Sequence, residues 1–342
     1  MKSTPAKATS ARLPLLGITM GDPAGIGPEV IAKAVASRKL RNVCHPIVIG
    51  SFPVMERTIK TLKLRLKALR VDGHERLPWR EGTVAVLDPL ERPLKRFTPG
   101  VAAAATGAAS VAFIKKGVEL AQLGCIDGIV TAPINKEAIN MAGCRYPGHT
   151  ELLADLTHAK ESGMMIIGGP LRIMFVTTHV AIKDLPSLLT RTKIEKAIRL
   201  AQLALTQLFG IKKPRIGVAA LNPHAGEHGL FGNEESRVIL PAARAAQAQG
   251  IMASDPLPAD TLFGKAARGE YDGVVALYHD QGLIPLKLMA FGTCVNITVG
   301  LPIIRTSVDH GTAFDIVGTG LADPGSVLEA ITLAATITKV RP

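Results

Sequence analysis

The sequence predicts an α/β fold with a largely parallel sheet, and three observations carry that expectation. Short apolar runs alternate with helical stretches along the 342 residues, which is the pattern of repeated strand–helix units. Several runs, among them residues 216–220 and 274–277, are apolar or glycine throughout, as expected of strands buried on both faces. Polar loops follow these runs, in the place where ligands gather in open α/β sheets.

Residues 15–20 are read as the first strand and 21–27 as a glycine turn. Pro28 suits the first position of a helix reaching Ser37, because its missing N–H has no partner there anyway. Residues 46–50 form a second strand with Pro46 at its start, where no interior ladder donor is lost. The alanine-rich stretch 101–123 is helical, with Gly107 a weak point, and residues 126–131 are a strand. Thr150 is expected to cap a helix beginning at Glu151. Residues 185–208 read as one helix with Pro186 near its start. Residues 215–221, 273–278 and 295–299 are strands, and a last helix covers 326–337. The chain is long for one core, so two lobes are expected. The first comprises residues 1–142 with 308–342, and the second 143–307.

Composition narrows the function classes. The chain is 47% hydrophobic and 20% charged, which are globular values. No apolar run approaches the ~18 residues that span a bilayer. Residues 1–12 are basic without an apolar core and read as a tail, not a signal peptide. Four cysteines without a CxxC pair read as reduced thiols, and cytoplasm is the expected location. The net charge of +12 comes from scattered lysines and arginines, and aromatics make up only 4%. That leaves little for base stacking, so no nucleic-acid partner is expected; the basic surface suits anionic small molecules.

Chemistry concentrates after the strands. His179, His224 and His279 each follow an apolar run. Imidazoles delivered to one sheet edge suit a divalent cation with an open coordination position. Neutral imidazoles favour zinc or cobalt, with magnesium the harder alternative. Asp280 and Asp309 are candidates to orient their rings. His149 and Thr150 stand at a helix start, which attracts phosphate and carboxylate groups. With Lys287, Asn296 and Arg305 they offer a cationic cradle for a phosphorylated acid. Asp260 reads as an N-cap or as a proton acceptor acting through water. In the loop 309–320 the glycines, Gly311 among them, let the backbone approach a ligand, Asp315 can accept hydrogen bonds from hydroxyls, and Thr312 beside Gly311 is a further candidate contact. The turn 21–28 lacks the G-x-G-x-x-G order of dinucleotide folds.

These motifs together resemble the 4-hydroxythreonine-4-phosphate dehydrogenase family of pyridoxal phosphate synthesis. The likeness rests on residues 21–29, 146–151, 222–227, 258–263, 278–282 and 296–311, and it runs from about Leu15 to Ala335. It implies a two-lobed fold similar to isocitrate and isopropylmalate dehydrogenases, with the active site in the cleft between the lobes. It also implies a homodimer whose sites are shared between copies. Further, it implies NAD (or NADP) on the 309–320 loop, one metal on the three histidines, and substrate on His149, Thr150, Lys287, Asn296 and Arg305. The expected reaction is oxidation of 4-phosphooxy-threonine at C3, with loss of carbon dioxide to give 3-amino-2-oxopropyl phosphate. His149 or Asp260 is the expected base. A D-threonate or D-erythronate 4-phosphate dehydrogenase is the alternative within the family, and a metal-dependent hydrolase a more distant one.

Overall fold

A computed structural model describes residues 12–71, 80–94 and 96–340. The segment read as an N-terminal tail falls, apart from Arg12, outside the described residues. The strands are β1 (Leu15–Thr19), β2 (His45–Ile49), β3 (Lys67–Arg70), β4 (Thr83–Leu87), β5 (Gly128–Thr131), β6 (Gly163–Gly168), β7 (Leu171–Phe175), β8 (Ile216–Ala219), β9 (Ala253–Leu257), β10 (Gly273–Ala276), β11 (Val295–Val299) and β12 (Arg305–Val308). The helices are α1 (Gly27–Ala36), α2 (Phe52–Thr61), α3 (Ala104–Gln122), α4 (Lys136–Met141), α5 (His149–Leu156), α6 (Leu185–Leu188), α7 (Arg191–Gln207), α8 (Leu240–Ala248), α9 (Ala259–Ala267), α10 (His279–Ala290) and α11 (Gly325–Val340).

Among the described residues all strands join one sheet, in the order β3-β4-β2-β1-β5-β12-β11-β6-β7-β10-β8-β9. Strands β3 to β12 in that order are parallel to their neighbours. So are β7, β10, β8 and β9. Between these two blocks β11 runs antiparallel to both β12 and β6, and β6 runs antiparallel to β7. The expected α/β class and largely parallel sheet are therefore present. Because β10 lies between β7 and β8 and parallel to both, the loops carrying His179, His224 and His279 leave the same edge.

A large core joins β1, β2 and β5 to α1, α3 and α11, and continues to α7 and α8. A smaller one packs α9 and α10 against β6, β7 and β10 through residues such as Phe175, Leu262, Phe263 and Leu286. The first turn is set by Gly21, whose φ is 71° and whose added Cβ would lie 2.3 Å from the Pro133 carbonyl oxygen. That left-handed, crowded position excludes a side chain.

Several local expectations change. Thr150 lies inside α5, whose N-cap is Gly148, so its hydroxyl is not spent on capping. Residues 185–208 are not one helix. After Pro186 the chain closes the short α6 and restarts at Thr190, whose hydroxyl accepts from Lys193 N and caps α7. Asp260 sits in the first turn of α9 behind Pro258 and is not its N-cap. Gly107 is not a weak point: a Cβ there would fall 1.9 Å from the Ala138 oxygen, so glycine is what lets α3 meet α4. Strands β3, β4, β6, β9 and β12 add to those read from the sequence, while β7 lies where the apolar run before His179 placed a strand.

Candidate functional site

The ends of β5 and β7 and the start of α5 surround a cavity of about 770 Å³. Arg305, the first residue of β12, lines it and is 2% exposed. Its Nε and Nη2 donate to the Thr131 hydroxyl at 3.2 and 2.8 Å, and its Nη1 donates to the Thr298 hydroxyl at 2.9 Å. Among the described residues it has no salt bridge. Hydroxyls do not neutralise a buried cation, and burial pulls the guanidinium pKa down to about 9. Three of a guanidinium's five N–H donors are thus used, and the others are free for an anion.

Three polar atoms on the cavity wall are buried without a partner: His149 Nε2, Asn296 Oδ1 and His310 Nε2. His149 as a residue is only half-buried, but its Nε2 tip is fully enclosed. Burial first, and the charge of Arg305 second, hold its pKa well below the ordinary histidine value. The ring is therefore neutral at neutral pH. Thr150 lines the same wall. Unsatisfied buried groups are rare in folded proteins, and three around one cavity argue for a polar ligand.

At the next part of the wall stands His179, its ring centroid 5.8 Å from that of His279. Its pKa is lowered by burial, then by the charges of Lys136 and His279, with Glu151 acting against them. His279 Nδ1 lies 2.5 Å from Asp280 Oδ1, which turns the Nε2 lone pair outward, the usual arrangement of a histidine ligand. Asp280 thus stands where the sequence placed an orienting carboxylate. Asp309 instead pairs with Lys287 at 3.5 Å. Buried Gln281 fixes this corner: its Oε1 accepts from Leu277 N and its Nε2 donates to Ala220 O, both at 2.7 Å. It thereby ties the exit of β10 to the exit of β8.

His224 is not part of this pair. Its side chain is 72% exposed, and residues 224–228 all have positive φ, between 41° and 82°. Four of the five are not glycine, and each such residue costs about 1–2 kcal/mol. The loop is anchored at its start by buried Glu235, which accepts from Leu221 N and Asn222 N at 2.8 Å. Among the described residues no three His, Cys, Asp or Glu side chains come together as a metal group. Within one chain the structure therefore joins His179 with His279 and leaves His224 apart.

Lys287 and Asp260 do not line the cavity that holds His149. The loop 309–320 reaches it through His310 and Gly311. Thr312 O accepts from Ile26 N at 3.0 Å, docking this loop on the glycine turn, and a Cβ at Gly25 would meet Thr312 at 3.0 Å. Asp315 stands exposed in the turn beyond. Sequence reasoning missed Thr131, Thr298, Gln281, Glu235 and the cavity residue Lys136. Thr131 acts only through Arg305, 174 residues away, and a polar side chain that binds nearby backbone, as Gln281 and Glu235 do, looks like any other in the sequence.

Comparison with known proteins adds to this geometry. Residues 42–334 match the family described as pyridoxal phosphate biosynthetic protein PdxA. The chain is 48% identical over 322 residues to 4-hydroxythreonine-4-phosphate dehydrogenase of Desulfosudis oleivorans, covering 94% of this chain and 95% of the relative. It is 47% identical over 325 residues to D-threonate 4-phosphate dehydrogenase of Cupriavidus necator, covering 93% and 96%. The crystal structure of 4-hydroxythreonine-4-phosphate dehydrogenase from Klebsiella pneumoniae superposes with a TM-score of 0.88 at 42% identity, covering 95% of this chain and 99% of that one.

Proposed function

The chain belongs to the pyridoxal phosphate biosynthetic protein PdxA family, and on that premise we propose that it is an NAD(P)-dependent dehydrogenase that oxidises 4-hydroxythreonine 4-phosphate at C3. The observation that carries the reading is Arg305: a buried guanidinium, partnered among the described residues by hydroxyls, facing a cavity with three unsatisfied polar atoms. Such a group is a receptor for an anion, since an unpaired buried charge is costly until one arrives. A second reading, D-threonate 4-phosphate as substrate, is favoured by the 47% identical relative of that name. Both substrates carry the phosphate that Arg305 would meet.

In this reading Arg305 holds the phosphate, Asn296 accepts through its unpaired Oδ1 from a substrate hydroxyl or ammonium, and Thr150 donates its uncommitted hydroxyl. Neutral His149 accepts the proton of the C3 hydroxyl at Nε2. Substrate phosphate offsets the Arg305 charge, so the anion itself makes His149 a stronger base at the moment it is needed. Asp260, remote from this cavity, is given no step. The pair His179 and His279, with the latter's Nδ1 held by Asp280, would suit a zinc- or cobalt-type ion, with His224 the proposed third ligand. Gly311, Thr312 and Asp315, on the loop docked against the glycine turn, would hold the nucleotide. When bound, the two groups supply polarisation of the alcohol and a hydride acceptor.

We also assign a homodimer. Helix α10 buries one face, while Leu288 is 82% and the following Phe291 83% exposed, with Ile284 and Met289 beside them. A contiguous apolar surface of this kind marks an interface, and a second copy would complete the site around His224. The lobes are assigned as residues 1–142 with 308–342, and 143–307. No described helix is long and apolar enough to cross a membrane, and a cytoplasmic enzyme is proposed.

The test is a rate panel of phosphorylated four-carbon hydroxy acids with NAD and NADP, with and without added zinc, cobalt or magnesium. Reduction of nucleotide with 4-hydroxythreonine 4-phosphate as preferred substrate supports the reading. A preference for D-threonate 4-phosphate moves the chain to the second one, and turnover without nucleotide rejects both.

A further inference from the structure

We propose that Lys136 is a second anion anchor of the cavity, holding the carboxylate of the bound acid while Arg305 holds its phosphate. The proposal rests on the reading of the site given above. A phosphorylated hydroxy acid has an anion at each end, and Arg305 serves only one of them. The cavity wall carries three further cations, Lys136, Lys193 and Lys196, against a single carboxylate, Glu151. Lys193 Nζ already donates to the Leu188 carbonyl at 2.9 Å, and Lys196 stands beside it on α7. Lys136 has no salt bridge among the described residues.

Its position is what distinguishes it. Lys136 opens α4 just after β5, whose last residue, Thr131, grips Arg305. The two cations thus project from neighbouring parts of one rim. Lys136 lies toward His179, close enough for its charge to act on that ring, at the end where oxidation and loss of the carboxyl group would occur. Its base is tied down by a cap and by packing. Asn135 Oδ1 accepts from Ala138 N at 2.8 Å and caps α4, and the backbone of Ala138 is pressed against Gly107 of α3. A flexible ammonium on a fixed base is suited to a carboxylate as a point charge.

The test uses 3-phosphoglycerate and glycerol 3-phosphate, which share a phosphate and differ in the carboxylate. Titration calorimetry on the full-length protein is expected to show about tenfold tighter binding of 3-phosphoglycerate, in line with a charge-assisted hydrogen bond. Lys136→Met should abolish this preference and leave glycerol 3-phosphate affinity within about twofold, and Lys136→Arg should keep most of it. Lys193→Met, which removes an equal charge from the α7 wall, should leave the preference intact. Equal weakening of both ligands by Lys136→Met, a preference that survives it, or no preference in the unmodified protein would overturn the proposal. A protein that shows the Lys136-dependent preference yet oxidises no phosphorylated acid would keep the anchor and reject the dehydrogenase reading.

Discussion

Arg305 is 2% exposed on the first residue of a central strand, whereas the His224 side chain is 72% exposed on a loop with five consecutive left-handed residues. The first is held by hydroxyls from β5 and β11 and waits in a finished cavity. The second is anchored at its root by Glu235 and Asn222 and closed by a backbone bond from Phe231 N to Gly226 O. Strain of this kind persists where surroundings enforce it and is found at functional sites. The contrast teaches that the two halves of the chemistry have different requirements. On the proposed reading the anion end is built within one chain, while the metal end would need the His224 loop brought to His179 and His279.

The sharpest way to break this comparison is His279→Ala. Turnover is expected to fall by about a thousandfold or more, the scale of losing a Lewis-acid site, while phosphate affinity by calorimetry stays within about threefold. Parallel loss of both would erase the distinction between the ends. Arg305→Met probes the other half. It should raise KM for the phosphorylated substrate by about a hundredfold, as expected for removing one partner of a buried charge pair, with a smaller change in kcat. The side chain is buried, so circular dichroism checks that the fold survives.

Asp280→Asn should weaken metal affinity by about ten- to a hundredfold, measured by competition with a chelating dye. Unchanged affinity would mean that the 2.5 Å contact to His279 does not orient the ring. A smaller effect concerns pH. His149 has its pKa lowered by burial and by Arg305, so the neutral base persists below the ordinary histidine range. The acid limb of kcat/KM should therefore lie below that range in the free enzyme. The limb of kcat should lie at higher pH, because bound phosphate offsets Arg305. Coincident limbs would remove the coupling between the two groups.

The sequence made the buried strands legible because an apolar run bounded by turn residues has few other meanings. That is why β1, β2, β5, β7, β8, β10 and β11 were expected close to where they lie. It did not reveal β3, a short half-exposed edge strand with Lys67 and Arg70 at its ends, nor β9, which contains Pro256. Both sit at sheet edges, where pairing on one side alone relaxes the pattern. The break at Leu189 escaped because the apolar period continues through it, although Pro186 and the Thr190 cap were visible. At the site, His149, Asn296 and Arg305 were legible from short motifs. Thr131 was not, since its role exists only through a contact 174 residues away. Gln281, which ties the exits of β10 and β8, and Glu235, which holds the start of the His224 loop, were equally silent, because a buried polar side chain binding backbone looks like any polar residue in a helix.

The most direct test of the central contrast separates the copies. Leu288→Glu with Phe291→Glu places charges on the exposed α10 face without touching the cavity, and sedimentation would establish a monomer. That monomer is expected to bind glycerol 3-phosphate within about threefold of the unmodified protein and to lose nearly all turnover with saturating nucleotide and divalent ion. A monomer that oxidises its substrate at the full rate would contradict the account, because His224 would then need no second copy to reach its place.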